Sequence, residues 1–260
     1  MEVESSIIKK KLFYRVLSSI ILASIAVGFN FIGNIYFLIL ILVTSLILLF
    51  EYYNIFSYKI INLNFIITYF FIFISCFLTY ISNLTYLTFF ICFFLIYIYK
   101  KKNNSFYTYF PIIYIGLPAS LLLYLNKYIE EGKTAILLLF IIVWATDTFG
   151  YLVGKTFKGP KLYKKISPNK TWSGFIGSII GAVGFSILYC YVTEYKSSHE
   201  AIFYAVLISF FCTLGDFFES FLKRINNKKD SSSWLPGHGG LLDRLDGFLF
   251  AIVMLSLLIL

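Results

Sequence analysis

The feature that most constrains this chain is the length of its uncharged runs. Residues 172–193, WSGFIGSIIGAVGFSILYCYVT, hold no charged side chain. About 20 consecutive apolar residues suffice for a helix to cross a bilayer. Apolar runs that reach or approach this length, some holding one or two charged residues, fall at about 13–30, 34–51, 60–80, 84–99, 107–126, 134–154, 172–193, 201–222 and 246–260. In lipid every backbone polar group must find its partner within the protein, so only helices and closed barrels span. These runs do not alternate as barrel strands would. The expected fold is an all-α polytopic membrane protein of about nine transmembrane helices. Composition agrees: 59% of the 260 residues are hydrophobic and 13% charged, whereas a soluble domain carries about 25% charge. The 30 Phe and 21 Tyr suit lipid-facing and interfacial positions. Pro111 and Pro118 fall inside the fifth run, where a kink is tolerable if neighbouring groups satisfy the freed carbonyls. The four cysteines, Cys76, Cys92, Cys190 and Cys212, all lie in apolar runs without CxxC spacing and read as small core residues.

The basic residues orient the chain. With the N-terminus placed in the cytoplasm, nineteen of the 22 Lys and Arg fall inside, and only Lys127, Lys133 and Lys196 fall outside. Glu130, Glu131, Glu194 and Glu200 lie outside as well. The positive-inside rule therefore predicts a cytoplasmic N-terminus. The net charge of +9 is split among short loops rather than gathered on a domain, which argues against nucleic acid as a partner. Lys100, Lys101 and Lys102 read as a patch for anionic lipid headgroups.

Two inside loops are richer than topology requires. One is WATDTFGYLVGKTFKGPKLYKKISPNKTWSG, residues 144–174, and the other is LKRINNKKDSSSWLPGHGGLLDRLDG, residues 222–247. Each follows a run that holds an acid: Asp147 before the first, Asp216 and Glu219 before the second. An ionised carboxylate within a bilayer costs at least ~2.5 kcal/mol, so it faces a partner, a metal or water. On a helix Asp216, Glu219, Ser220 and Lys223 share one face. Asp243 and Asp246 share a face at the start of the last run, where helix capping is their plainest role. Asp216, Asp243 and Asp246 can converge on one point. Carboxylates for a hard cation, flanked by Lys and Arg for phosphate oxygens, form the layout that phosphoryl-transfer chemistry requires. Gly237, Gly239 and Gly240 allow a tight turn with free amides. His238 lies within that turn, where fixing the loop is its first role, and His199 reads as solvated surface.

At these residues the chain resembles the phosphatidate cytidylyltransferase, or CDP-diacylglycerol synthase, family. The family pattern joins Ser-x-hydrophobic-Lys-Arg and Lys-Asp to hydrophobic-Pro-x-His-Gly-Gly-hydrophobic-x-Asp-Arg-hydrophobic-Asp. Here it reads SFLKRINNKKDSSSWLPGHGGLLDRLDG from Ser220 to Gly247, with every named position matched. GDFFES at 215–220, DTFGYLVGK and ISPNKTWSG fit too, although Asn169 and Ser173 replace the family's usual Lys and Glu. The resemblance covers the C-terminal half; the first five runs match in hydropathy and length alone.

The resemblance implies that CTP and phosphatidic acid condense to CDP-diacylglycerol and pyrophosphate, at the cytoplasmic leaflet of a bacterial inner membrane. It implies Mg²⁺, with a second cation left open. Asp216, Asp243 and Asp246 are the implied metal-linked carboxylates, and Lys223 and Arg224 complete the catalytic set. Lys170, Thr171, Ser220, Lys229, His238, Gly239, Gly240 and Arg244 are the implied substrate contacts, with Asp147 in the same cavity. The chain divides into N-terminal helices, 1–130, and a C-terminal catalytic membrane region, 131–260. The bilayer is a partner, and a homodimer is an open alternative. A CTP-dependent lipid-alcohol kinase is a second enzymatic reading. A transporter is disfavoured because the acids sit at the ends of runs rather than across the midplane. A CDP-alcohol phosphotransferase is disfavoured because its spaced aspartate motif is absent.

Overall fold

The structure is a computed structural model that describes residues 19–58, 62–83, 106–232, 234 and 239–260. The expected run at 84–99, Lys100–Lys102, Cys92, Gly237 and His238 lie outside the described residues.

The described chain is helical apart from one hairpin. The helices are α1 (Ser19–Ile32), α2 (Asn34–Ile55), α3 (Leu63–Ser82), α4 (Phe106–Tyr109), α5 (Pro111–Tyr114), α6 (Gly116–Tyr128), α7 (Gly132–Phe157), α8 (Trp172–Thr193), α9 (Ser198–Ile225) and α10 (Leu242–Ile259). Six stretches among the described residues are long and apolar enough to cross a membrane: α2, α3, Tyr107–Tyr128, α7, α8 and α9. Large apolar side chains on their outer faces are exposed, among them Ile39, Phe70, Ile180, Val192 and Phe203. Without competing water, lipid tails cover such faces at no cost. The chain is therefore an integral membrane protein by the length and composition of its helices.

Local chemistry sets several helix ends. Asn62 caps α3 by accepting from Phe65 N at 2.8 Å. Ser197 and Glu200 form a reciprocal capping box at the start of α9, satisfying two otherwise orphan amides. The two prolines break the fifth run into α4, α5 and α6, with Pro111 at the first position of α5, where its missing N–H costs nothing.

Helices α7–α10 form the body of the C-terminal half, with α7 along α8, α8 along α9, and α9 along α10. Small residues bring α7 and α8 close: a Cβ on Gly174 would stand 2.7 Å from Gly150 O and 3.3 Å from Gly154 Cα. Such close backbone approach lets membrane helices gain dispersion contact where no hydrophobic force drives them together. On the other side α6 packs on α3, α2 and α7. The loop between α7 and α8 carries a two-stranded antiparallel hairpin, β1 (Lys161–Tyr163) and β2 (Ser167–Thr171), pairing Lys161 with Thr171 and Tyr163 with Ser167. Sequence alone marks this stretch only as a loop, because a three-residue and a five-residue strand leave too short a pattern to read.

Candidate functional site

The hairpin, the C-terminal end of α7, the N-terminus of α8 and the middle of α9 enclose a cavity of about 600 Å³. Asp147 and Asp216 line it together with Lys155, Lys158, Lys161 and Lys170. Each side chain arrives there for a local reason. Thr171 ends β2 and caps α8, its hydroxyl accepting from Gly174 N at 3.2 Å. That turn projects Lys170, the residue before it, toward α9. There Lys170 donates to the Asp216 carboxylate and its ammonium stands 4.9 Å from the Phe217 ring centroid. Burial opposes the charge on Lys170, but the carboxylates of Asp216, Asp246 and Asp147, Asp216 foremost, together offset it and hold the ammonium above the ordinary lysine range. The result is a concave surface with four lysines and the amide-rich start of a helix, which suits a phosphate chain.

Deeper in the cavity the carboxylates gather. Ligand atoms of Asp147, Asp216 and Cys212 all lie within 4.8 Å of one another. Cys212 and Asp216 lie one turn apart on α9, Asp147 comes from α7, and α10 crosses α9 beside them. A Cβ on Gly247 would stand 2.6 Å from both Asp216 Oδ1 and Cys212 Sγ, and one on Gly215 would stand 2.5 Å from Asp246 O. Glycine is the residue that lets these backbones meet. Asp246 accepts from Gly247 N at 2.9 Å and has Asp216, Glu219 and Asp147 as charged neighbours.

Asp243 lies in a different group. It accepts from Lys223 Nζ at 2.6 Å, Gly240 N at 2.7 Å, Ser231 Oγ at 2.9 Å and Ser231 N at 3.0 Å. Lys223 also pairs with Glu219, one turn back on α9. The shared face read from the sequence therefore holds for Glu219 and Lys223. Asp243 ties the 226–232 loop to Gly240 just ahead of α10 but does not cap that helix as expected, because its partners are Lys223, Gly240 and Ser231 and none is an amide of α10. Gly239 has φ of +82°, a left-handed conformation that glycine adopts without strain.

The structure thus groups Asp216 with Asp147 and Cys212, and Asp243 with Lys223 and Glu219; Asp246 neighbours both Asp216 and Glu219. Arg224 is exposed and joins the hairpin to the following loop, donating to Ile166 O at 3.4 Å and Lys228 O at 3.0 Å. Lys229 is exposed and Ser220 half-buried. Arg244 is exposed on the first turn of α10 and within electrostatic reach of Asp147. Gly240 is buried.

The residue that sequence reasoning missed is Glu51, fully buried on α2. It accepts from Leu242 N at 2.6 Å and Leu241 N at 2.9 Å, the first amides of α10. The signal was available: Glu51 is the one acid in the apolar stretch 34–55. Cys76, Cys190 and Cys212 are buried, as expected of core cysteines.

Known proteins resemble this chain in sequence. A phosphatidate cytidylyltransferase of Brucella abortus biovar 1 (strain 9-941) is 43% identical over 126 residues, 48% of this chain and 47% of that protein. The protein of the same name from Rickettsia prowazekii (strain Madrid E) is 42% identical over 142 residues, 52% of this chain and 62% of its own. That of Rickettsia conorii (strain ATCC VR-613 / Malish 7) is 36% identical over 151 residues, 55% of this chain and 65% of its own. The matches thus span about half to just under two thirds of the length of these curated relatives. The Cytidylyltransferase family matches residues 13–260. That match covers all but the first twelve residues, including every cavity and motif position described above, and the chain belongs to the Cytidylyltransferase family.

Proposed function

We propose that this protein is a CTP:phosphatidate cytidylyltransferase whose active site opens to the cytoplasm, with its N-terminus on the same side. A phosphate oxygen of phosphatidic acid attacks the α-phosphorus of CTP. The bond between the α-phosphorus and the bridging oxygen to the β-phosphate breaks, pyrophosphate leaves, and CDP-diacylglycerol remains in the membrane. The observation that carries this reading is the cavity in which Lys155, Lys158, Lys161 and Lys170 face the carboxylates of Asp147 and Asp216.

The chain's residues have distinct tasks. The lysines and the N-terminus of α8 bind and orient the triphosphate. Lys170 sits closest to the acids through its pair with Asp216. A phosphate monoester is already largely ionised near neutral pH, its second pKa being about 6, so no dedicated general base is assigned. The donor set tests the expected metal. The carboxylates of Asp147 and Asp216 are hard oxygen ligands that suit Mg²⁺, with Asp246 adjacent, whereas the Cys212 thiol does not. When bound, Mg²⁺ would neutralise charge on the reacting phosphates. Asp243, already accepting from four protein donors, acts in this reading by holding the motif loop.

The test is direct. Purified protein in lipid nanodiscs, given CTP labelled at the α-phosphate, phosphatidate and Mg²⁺, should form lipid-linked CMP and release pyrophosphate. In a parallel reaction with a lipid alcohol in place of phosphatidate, release of CDP with phosphorylation of that alcohol would instead establish the kinase reading. No labelled lipid, beside an active control enzyme, would refute the proposal.

A further inference from the structure

The N-terminal half is more than a hydrophobic anchor for the site. Glu51, near the end of α2, is fully buried and accepts from four donors. Two are the amides of Leu241 and Leu242, at 2.9 and 2.6 Å. Two are the hydroxyls of Ser232 and Ser231, at 2.7 and 3.1 Å. One turn further along α2, Asn54 donates from Nδ2 to Ser231 O at 2.7 Å and accepts from Lys228 Nζ. Phe50, beside Glu51, packs its ring 4.7 Å from that of Trp234. One end of α2 therefore forms the floor on which Lys228, Ser231, Ser232, Trp234, Leu241 and Leu242 rest.

A buried carboxylate at the positive end of a helix is electrostatically favourable. It is also costly to leave without hydrogen bonds. Glu51 can satisfy its oxygens only when α10 starts where it does and the serine loop folds back over α2. Through that requirement it fixes the first turn of α10, which carries Asp243, Arg244 and Asp246. Ser231 completes the link, because its hydroxyl lies 3.1 Å from Glu51 and 2.9 Å from Asp243. A hydroxyl has one proton, so Ser231 joins the two carboxylates as a shared contact rather than serving either alone.

We propose that Glu51 is a positioning residue for the cytidylyltransfer site, acting through Ser231, Ser232 and the N-terminus of α10. The proposal rests on the functional reading above. Removing an outer hydrogen-bond partner of this kind costs roughly 10–100-fold in activity or metal affinity.

The test compares full-length wild type with Glu51→Gln in nanodiscs. Glutamine keeps the size but turns an amide NH₂ toward backbone donors. Three quantities are read: kcat and KM, the thermal unfolding midpoint, and the rate of tryptic cleavage at Lys228–Lys229 relative to Lys164–Lys165. The expected result is a kcat lowered roughly 10–100-fold, a smaller change in KM for CTP, and faster cleavage at Lys228–Lys229 alone. Wild-type kcat in Glu51→Gln, or cleavage accelerated equally at both sites, would overturn the proposal. Should that variant fail to fold, Ser231→Ala carries the test, because it removes the shared hydroxyl with little change of volume. It should lower kcat by about tenfold, and unchanged kcat overturns the proposal. If wild type itself makes no lipid-linked CMP, the functional reading fails; the cleavage ratio then still decides whether Glu51 holds the loop.

Discussion

Lys170 on β2 and Asp216 in the middle of α9, 46 positions apart in the chain, form an ion pair inside the cavity. The pair joins the two charged loops of the sequence at one place. It puts an ammonium and a carboxylate within a single contact; in the proposed function the first binds phosphate and the second a cation. Asp147 and Cys212 stand beside it.

Asp216→Asn should therefore lower turnover by at least roughly 100-fold, the scale on which fixed charges stabilise transition states. It should leave the protein inserted and folded. Incorporation of labelled CMP into lipid, measured beside detergent-solubilised yield, checks both. Turnover within tenfold of wild type would remove Asp216 from the site.

The Lys223–Asp243 pair makes a stability prediction. Its side chains are only 11% and 9% exposed. Breaking a buried pair from one side strands the other charge, at a cost of about 3–5 kcal/mol. Lys223→Met and Asp243→Asn should each lower the thermal midpoint clearly. The double variant should lower it by less than the sum of the two, because residues in contact couple. Additive losses would show that the pair contributes nothing as a pair.

Two glycines on α8 should respond oppositely to alanine. At Gly174 the new methyl would meet backbone of α7 at 2.7 Å, and backbone cannot turn aside. Overpacking of this kind costs about 1–3 kcal/mol, and separating α7 from α8 would deform the cavity as well. At Gly184 nothing lies within 4 Å, so alanine should be neutral or stabilise by up to about 1 kcal/mol through helix propensity. Thermal melts of the two variants in the same detergent decide the matter.

Chelation with EDTA should abolish turnover, and added Mg²⁺ should restore it. Cd²⁺ should inhibit at lower concentration in wild type than in Cys212→Ala, because a thiol beside two carboxylates favours a soft ion. Equal inhibition of both proteins would separate Cys212 from the cation site.

Much of this was readable before the fold was known. The run at 172–193 coincides with α8, because a charge-free stretch bounded by Thr171 as cap leaves the backbone few alternatives to a helix. Glu219 and Lys223 pair as their helical spacing requires. Lys170 and Asp216, both singled out by the motifs, meet in the cavity. The grouping of the acids was not. Asp216 follows Gly215 inside α9 and Asp243 lies three residues after Gly240 in the first turn of α10, yet they face different neighbours. Which carboxylates meet depends on how α9 crosses α10 at Gly215 and Gly247, and spacing along one helix carries no information about a crossing between two.

Hydropathy and charge by themselves determined that this chain builds apolar helices and gathers its chemistry in two loops, because lipid tolerates no other backbone and no idle charge. Only the tertiary structure decided that α2 meets the loop ahead of α10. Glu51 gives one acid's worth of signal in the sequence, and its meaning depends on partners 180 to 191 positions away. A buried carboxylate is defined by the donors the fold brings to it, and those donors are contacts of the folded chain, not properties of the segment that carries the acid.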